Sequence, residues 1–556
     1  MQHLGRERKD KLFNFRPIFF TATFLCLGVV FAYLRIFYSV SLWWLLLLVG
    51  IFVPLLFCEK EKLGKTAVCL LILLFAFAVG GLCYFAQVRN YANANIYNGE
   101  YTVRGIVEEK TMGRKSSCLI LSNISVGKKE ENFKLVAYLP TSFCENVRLY
   151  DEISLRGTVQ TQGAELYAEE YCTYLFQEGI KYKMLNAESC VVHAQNFHVF
   201  GRIRERVSAV LYAGMDTDPT SITLAVLTGN TAGIEGGLLQ NMRYGGIAHV
   251  FAVSGLHVGA LYAFCMLLTK KTALRKTPKP VRFLLVTATL LFYGGVCGFS
   301  ASVVRATILC LISYLAKLIG TAFDKFEVIG LSAIFILLLS PAELFGVGFQ
   351  LSFLACLGIF LWAKPLEKWG NHVCDEGKKR LFLLMARKDS VGIENKEKAD
   401  GLFLSIAEKI REKSIAFLSV STSAQIATAP VLLQAFGYIS GWSLLLNCIF
   451  VPLIGAIFSV LLSLVALSCV LPLSFSAVLL YLPNAVWSAV LLLFEEFDFS
   501  LFAIRGVTLS AGALACYYLA LTFFSDKWNL RSRERFALGT LCAIGWIATL
   551  VIRWLF

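Results

Sequence analysis

Charge is what this 556-residue sequence has least of. Asp, Glu, Lys and Arg make up only 16% of it, against about a quarter in a soluble domain. Histidine is also scarce, with six residues. They form no H-x-H-x-D-H cluster, so a metal-hydrolase centre of that type is excluded. There is no GxxxxGK[ST] phosphate loop, which argues against ATP-driven transport by this chain alone. What fills the space is apolar: 57% of residues are hydrophobic, with several runs near the roughly 20 residues that cross a bilayer as a helix. The composition is that of a polytopic α-helical membrane protein. The first run, IFFTATFLCLGVVFAYL from Ile18, lacks a small-residue cleavage site and is read as a span, not a signal peptide.

The net charge is +14. It is concentrated in RERKDKLFNFR at the start, KKTALRKTPKPVR from Lys270 and DKWNLRSRER from Asp526. Lys and Arg near span ends mark the cytoplasmic side, so the charge reports topology first. Three spans are expected over 18–38, 42–57 and 66–86, making residues 1–88 a cytoplasmic N-terminal tail followed by three crossings. The chain then emerges outside.

Residues 89–200 change character. YTVRGIVEE, SCLILSNISV, FKLVAYLP and YDEISLRGTVQ read as strands divided by turn signals. They predict a small extracytoplasmic β domain of the OB-like barrel type. Acidic residues slightly outnumber basic ones in it, so charge alone does not decide between nucleic-acid binding and partner docking. Four cysteines lie here; Cys144 and Cys172, each following a predicted strand, are the first candidates for a disulfide in an oxidising compartment, although sequence does not fix connectivity.

Residues 201–556 form the second membrane unit. RIRERVSAVLYAGM (202–215) has an amphipathic pattern suited to an interface. About ten spans follow, with a polar cytoplasmic insert at 364–413. Later spans are expected near 283–298, 303–320, 326–340, 345–363, 414–436, 442–468, 473–492, 507–524 and 536–555. Alternation then leaves every strongly basic loop inside.

Polar residues inside spans are expensive and mark function or a structural partner. GGIAHVFAVSGLHVG carries His249, Ser254, Gly255 and His257. YGGVCGFSASVVRATIL carries Arg305, PAELFGVGFQLSF carries Glu343 and Gln350, and TSAQIATAPVLL carries Gln425 and Pro430, with Asn447 and Pro452 beyond. Gly and Pro permit broken helices whose freed backbone groups face protein or water, and half-helix N-termini suit anions. Each residue also has a structural reading. Arg305 can bond a span carbonyl, Gln350 and Asn447 can bridge helices, and the histidines can be hydrogen-bonded packing. Ser254 and His257 share a helical face but lack the spacing of an intramembrane serine protease. No Cys, Asp or Glu stands near the two histidines to complete a metal site. Neither an enzyme nor a cofactor is expected.

The ordered set of LTGNTAGI, HVFAVSGLHVG, GFSASVVRATIL, SPAELFGVGFQLSFLACLGI, IATAPVLLQAFGYIS and NCIFVPLIG resembles the ComEC family of competence proteins. The layout of N-terminal spans and an external β domain is similar too, so the resemblance covers nearly the whole chain. It implies a multi-pass channel of the bacterial inner membrane that moves single-stranded transforming DNA into the cytoplasm during natural competence. His249, Ser254, Gly255, His257, Arg305 and Gln350 are the candidates for lining the DNA path. Membrane lipid, an external DNA receptor and a cytoplasmic ATP-driven DNA motor are the implied partners. Many members carry a C-terminal metallo-β-lactamase-like domain; this sequence ends in RWLF, so a separate nuclease is a further expectation. The alternative is a secondary transporter of a small anion or a lipid-linked substrate.

Overall fold

The computed structural model describes residues 16–41 and 63–92 and, apart from short interruptions of which 387–396 is the longest, 96–161 and 170–555. It is a polytopic helical membrane protein carrying a closed five-stranded barrel. Among the described residues, eight helices are long and apolar enough to cross a bilayer. The expected span at 42–57 lies outside the described residues.

Helix α1 (Pro17–Tyr38) and α2 (Leu63–Ala92) pack closely. The contact is made by glycine. A Cβ on Gly28 would fall 2.0 Å from the Phe77 carbonyl oxygen, and one on Gly80 would fall 2.3 Å from that of Leu25. With no hydrophobic drive between helices in lipid, such small-residue contacts supply the packing.

The barrel follows α2. Its strands are β1 (Gly99–Thr111), β2 (Ser116–Val126), β4 (Lys134–Pro140), β5 (Glu152–Thr161) and β6 (Ile180–Ala194), with a short β3 (Lys129–Glu131) on the edge of β2. The order β1-β5-β6-β4-β2 closes because β1 also pairs with β2. Only the β4–β6 pair is parallel. This circuit is the five-stranded Greek-key barrel of the OB type. β1 serves both neighbours by bending at two register shifts, as bulges allow. Gly105 sits at the first of them, where a Cβ would press on Ile124 at 3.1 Å. Period-2 alternation fills the interior: Ile153, Leu155 and Val159 of β5 point in, with Leu119, Leu121, Tyr182 and Met184. Cys144 is a buried free thiol; the side chain of its expected partner, Cys172, lies outside the described residues.

The barrel is joined to α2 at Tyr91. The Tyr91 hydroxyl donates to the Ile180 carbonyl at 2.7 Å, and the Lys181 ammonium donates to the Tyr91 carbonyl and lies 4.3 Å from its ring centroid. Lys181 is 4% exposed. Burial holds its ammonium below the usual lysine range, because desolvation disfavours the charged form. Beside this joint, α4 (Glu170–Gln177), which follows the four-residue α3 (Thr141–Cys144), sends Gln177 Nε2 to the Ala342 carbonyl.

Helix α5 (Val199–Gly214) leads from the barrel into the second unit. It is amphipathic, as its sequence predicts, but its apolar face is not left at a surface. Val210 and Leu211 are fully buried, and Gly214 lies against Ser476. Arg204 donates to the Val296 and Gly295 carbonyls, and Arg206 to those of Cys469 and Leu471. These carbonyls lie at the C-terminal ends of α10 (Lys279–Val296) and α15 (Ser443–Val470), Leu471 being the C-cap of the latter, where the helix ends are negative.

The remaining helices are α6 (Thr217–Thr228), α7 (Gly236–Tyr244), α8 (Ala248–Phe251), α9 (Gly255–Lys271), α11 (Ala301–Ile319), α12 (Lys325–Leu339), α13 (Val347–Ala386), α14 (Glu397–Phe436), α16 (Ser476–Glu496), α17 (Ala511–Phe524) and α18 (Ser532–Leu555). Three expected spans are short: α9, α12 and α17 have 17, 15 and 14 residues. The polar insert is carried largely by extensions of α13 and α14. Each has 40 residues, so each is about 60 Å long at 1.5 Å per residue. They run antiparallel, with Gly358 against Ala427, Gly370 against Ile415, and Arg411 paired with Asp375 at 2.8 Å. Strands β7 (Tyr438–Ser440) and β8 (Ala503–Arg505) pair antiparallel, which brings the connections after α14 and α16 to the same face.

Candidate functional site

The site begins where the chain cannot stay helical. Gly245 and Gly246 end α7, and Gly246 has φ +75°. A Cβ there would lie 2.5 Å from Cβ of Ser443. One turn of α8 follows, then non-helical backbone at 253–254, then α9. Ser254 is the N-cap of α9 in extended conformation, and the Ser-Gly-Leu-His stretch forms a capping box. The Leu256 N–H donates to Ser254 Oγ at 3.3 Å, and the Ser254 N–H donates to His257 Nδ1 at 3.0 Å. In the usual box a Glu or Gln accepts at the third position; here an imidazole nitrogen does. Because Nδ1 accepts, the neutral ring carries its proton on Nε2. That Nε2 is buried and has no protein partner among the described residues.

His257 is 0% exposed, edge-on to Phe458 at 4.8 Å between centroids. Tyr293 packs against the same ring at 5.9 Å. His249 differs. It is accessible although Val250 and Phe251 beside it are fully buried, and it lies against the Gly246 backbone, close enough to His257 for their charges to interact. Gly255, the first residue of α9, is exposed as well.

Two more helix starts meet this one. A Cβ on Gly255 would touch only Ala306, at 3.5 Å, in the second turn of α11. The neighbouring Arg305 is 3% exposed and donates through Nη2 to the Gly348 carbonyl at 3.0 Å, in the first turn of α13. Its guanidinium lies 5.9 and 5.8 Å from the rings of Phe349 and Phe353. Nε and Nη1 are buried without a partner among the described residues. Gln350 stands in the same turn of α13, but its Nε2 turns back to the Leu344 carbonyl at 3.2 Å. So His249, Ser254, Gly255 and His257 form one group, Arg305 is linked to it through Ala306, and Gln350 is tied to the preceding 3-10 turn, Pro341–Phe345. The starts of α9, α11 and α13 present amide N–H groups, a cation and unfilled donors in one neighbourhood. That chemistry suits an anion.

Other residues shape the site and escaped the sequence reading. Asn241 of α7 donates to the Phe494 and Phe497 carbonyls and accepts from the Phe499 N–H, closing the broken end of α16. Tyr517 and Tyr518 of α17 donate to the Ile426 and Ala427 carbonyls of α14. Pro430 has no N–H to offer Ile426, four residues earlier; Tyr517 supplies the missing donor at 2.7 Å. The proline itself was the available signal, since it implies an orphaned carbonyl that something must fill.

The competence protein family matches residues 226–531, which include all six path candidates. ComE operon protein 3 of Bacillus subtilis (strain 168) is 27% identical over 242 residues, 43% of this chain and 29% of that protein. An uncharacterized protein of Mycoplasma pneumoniae (strain ATCC 29342 / M129 / Subtype 1), the MG316 homolog, is 33% identical over 131 residues, 22% of this chain and 31% of that one. The chain thus aligns with about three tenths of the length of either relative. No solved structure matches. The family match runs over more than half of the sequence and takes in the motifs of the α9, α11 and α13 starts, and the chain belongs to the ComEC family of competence proteins.

Proposed function

We propose that this protein is a bacterial inner-membrane channel that passes single-stranded DNA into the cytoplasm during natural competence. The observation that carries the reading is the meeting of three helix starts around Arg305 and His257, with buried donors that no described protein group fills. Buried polar atoms are nearly always paired, so such donors favour a polar occupant. A polyanion crossing a low-dielectric slab is stabilised by backbone amides and sparse cations, and must still leave each contact. A densely basic tunnel would hold it. One buried arginine, with the Glu343 carboxylate within electrostatic reach to offset part of its charge, fits that balance.

In this reading the N-terminus is cytoplasmic and the barrel lies outside. Pairing of β7 with β8 supports the alternation, which requires the connections after α14 and α16 to share a side. The barrel receives DNA from an external receptor, and a cytoplasmic ATP-driven motor pulls the strand. The chain's own residues conduct and perform no covalent step. Ser254 belongs to a helix cap, and His257 presents Nδ1 to the Ser254 N–H.

The test is Arg305→Ala beside Arg305→Lys, each at wild-type abundance. DNA entry should fall at least about tenfold in the alanine variant, the worth of one lost charge-assisted contact, and less in the lysine variant. Wild-type entry in the alanine variant would remove Arg305 from the path.

A further inference from the structure

A shallow recess open to solvent lies between the barrel and the start of α5. Arg148 and Asp151 come to it from the segment entering β5, Gln195 and His198 from the link leaving β6, and Arg202 and Glu205 from the first turns of α5. Its acids already have company. Asp151 is buried and accepts from the Arg148 N–H at 2.9 Å. The Lys110 ammonium, held by the Cys144 and Val147 carbonyls at 2.7 Å each, lies within electrostatic reach of both Asp151 and Glu205. The arginines do not. Arg148 and Arg202 are exposed, and neither guanidinium has an ion pair or hydrogen bond among the described residues.

The wall behind them is rigid. The His198 ring stacks on Tyr150 at 3.5 Å between centroids, and its Nδ1 accepts from the Gly201 N–H, capping α5. Tyr150 is held at φ +69° by a hydrogen bond to the Val107 carbonyl, a conformation that persists only where its surroundings fix it. Phe197, next to His198, is 78% exposed. The backbone that carries the arginines is set by a helix start and a strained loop, and the exposed Phe197 directly precedes His198 in the chain.

We propose that this recess is a single-strand binding site, in which Arg148 and Arg202 take successive phosphates and Phe197 stacks a base. Aromatic stacking with cationic phosphate contacts is the sequence-tolerant mode of single-strand recognition. The position explains the use. Two residues after Arg202, Arg204 caps α10 beside Gly298, in the turn that opens α11 and leads to Arg305. A strand held here lies at the entrance to the helix starts described above. The inference rests on the DNA reading and adds to it the place where barrel and membrane unit grip the strand together.

The test uses the full-length chain in nanodiscs of zwitterionic lipid and the anisotropy of a fluorescein-labelled oligothymidine over a salt series. Arg148→Gln with Arg202→Gln should weaken binding at least about tenfold and flatten the salt slope by about 1.4, since each lost phosphate contact on a single strand is worth roughly 0.7. Phe197→Ala should weaken it about fivefold or more with no change of slope. Lys129→Gln with Arg156→Gln removes equal charge from the barrel surface elsewhere and should change both quantities less. Equal effects of the two double variants, each eluting as wild type, would overturn the site and leave the DNA reading standing. Absence of oligothymidine binding by the wild-type chain would overturn both.

Discussion

Ser254 offers the sharpest test of how the site is built. In the structure its hydroxyl oxygen accepts from the Leu256 N–H and its own N–H is taken by His257 Nδ1. Removing the hydroxyl by Ser254→Ala should cost about 1 kcal/mol, the usual worth of an N-cap. His257→Ala should cost more. It leaves the Ser254 N–H without its acceptor, about 1–3 kcal/mol, and removes a ring packed on Phe458, about 0.5–1.5 kcal/mol further. The total is roughly 1.5–4.5 kcal/mol from those two terms. Ser254→Asn separates a cap from a nucleophile, because asparagine caps as well as serine but cannot attack a carbonyl or phosphoryl centre. The assay is thermal unfolding of the purified chain beside transformation frequency at matched abundance. The cap account expects near-wild-type behaviour for Ser254→Asn, a modest loss for Ser254→Ala and the largest for His257→Ala. Equal and complete loss of transformation in both serine variants, with unfolding temperatures unchanged, would refute it and point to chemistry at the hydroxyl.

Two further outcomes follow from the packing. Tyr517→Phe should destabilise by about 1–3 kcal/mol through the orphaned Ile426 carbonyl, and the loss should shrink in a Pro430→Ala background, where a backbone N–H can return; additivity of the two changes in thermal unfolding would contradict the pairing. Lys181 titrates below its unfolded value, so the unfolded chain holds more protons between the two values and this group's contribution to stability rises with pH across that window. Lys181→Met should therefore flatten the alkaline part of a stability–pH profile, and an unchanged profile would show that its ammonium is not desolvated at the joint.

Much of the fold is legible in the sequence because lipid permits few solutions. Long apolar runs become helices, and alternation such as Ile153, Leu155 and Val159 becomes a barrel strand with one face inward. The OB circuit itself depends on β1 meeting both β2 and β5, a long-range closure that local pattern does not encode beyond the glycine at its bend. The break at 253–254 is signalled by Ser-Gly next to histidine, but the identity of the acceptor is not; imidazole in a capping box needs the geometry. Arg305 was legible as an inward cation, and its carbonyl partner at Gly348 was among the readings open to it. Arg204, Arg206 and Asn241 were missed because their partners are the carbonyl ends of helices 90 or more residues away, and helix ends advertise their needs only once they are placed. Helices α9, α12 and α17 were expected as full spans because apolar composition alone does not count the turns lost to the breaks beside them.

The central claim is that DNA enters the cell through this protein. The direct measurement is the amount of labelled DNA reaching the DNase-resistant cytosolic pool in competent cells with and without the gene. The account expects that pool to vanish without the gene while surface-bound DNA is retained. An unchanged pool, in cells shown to be competent, would contradict it.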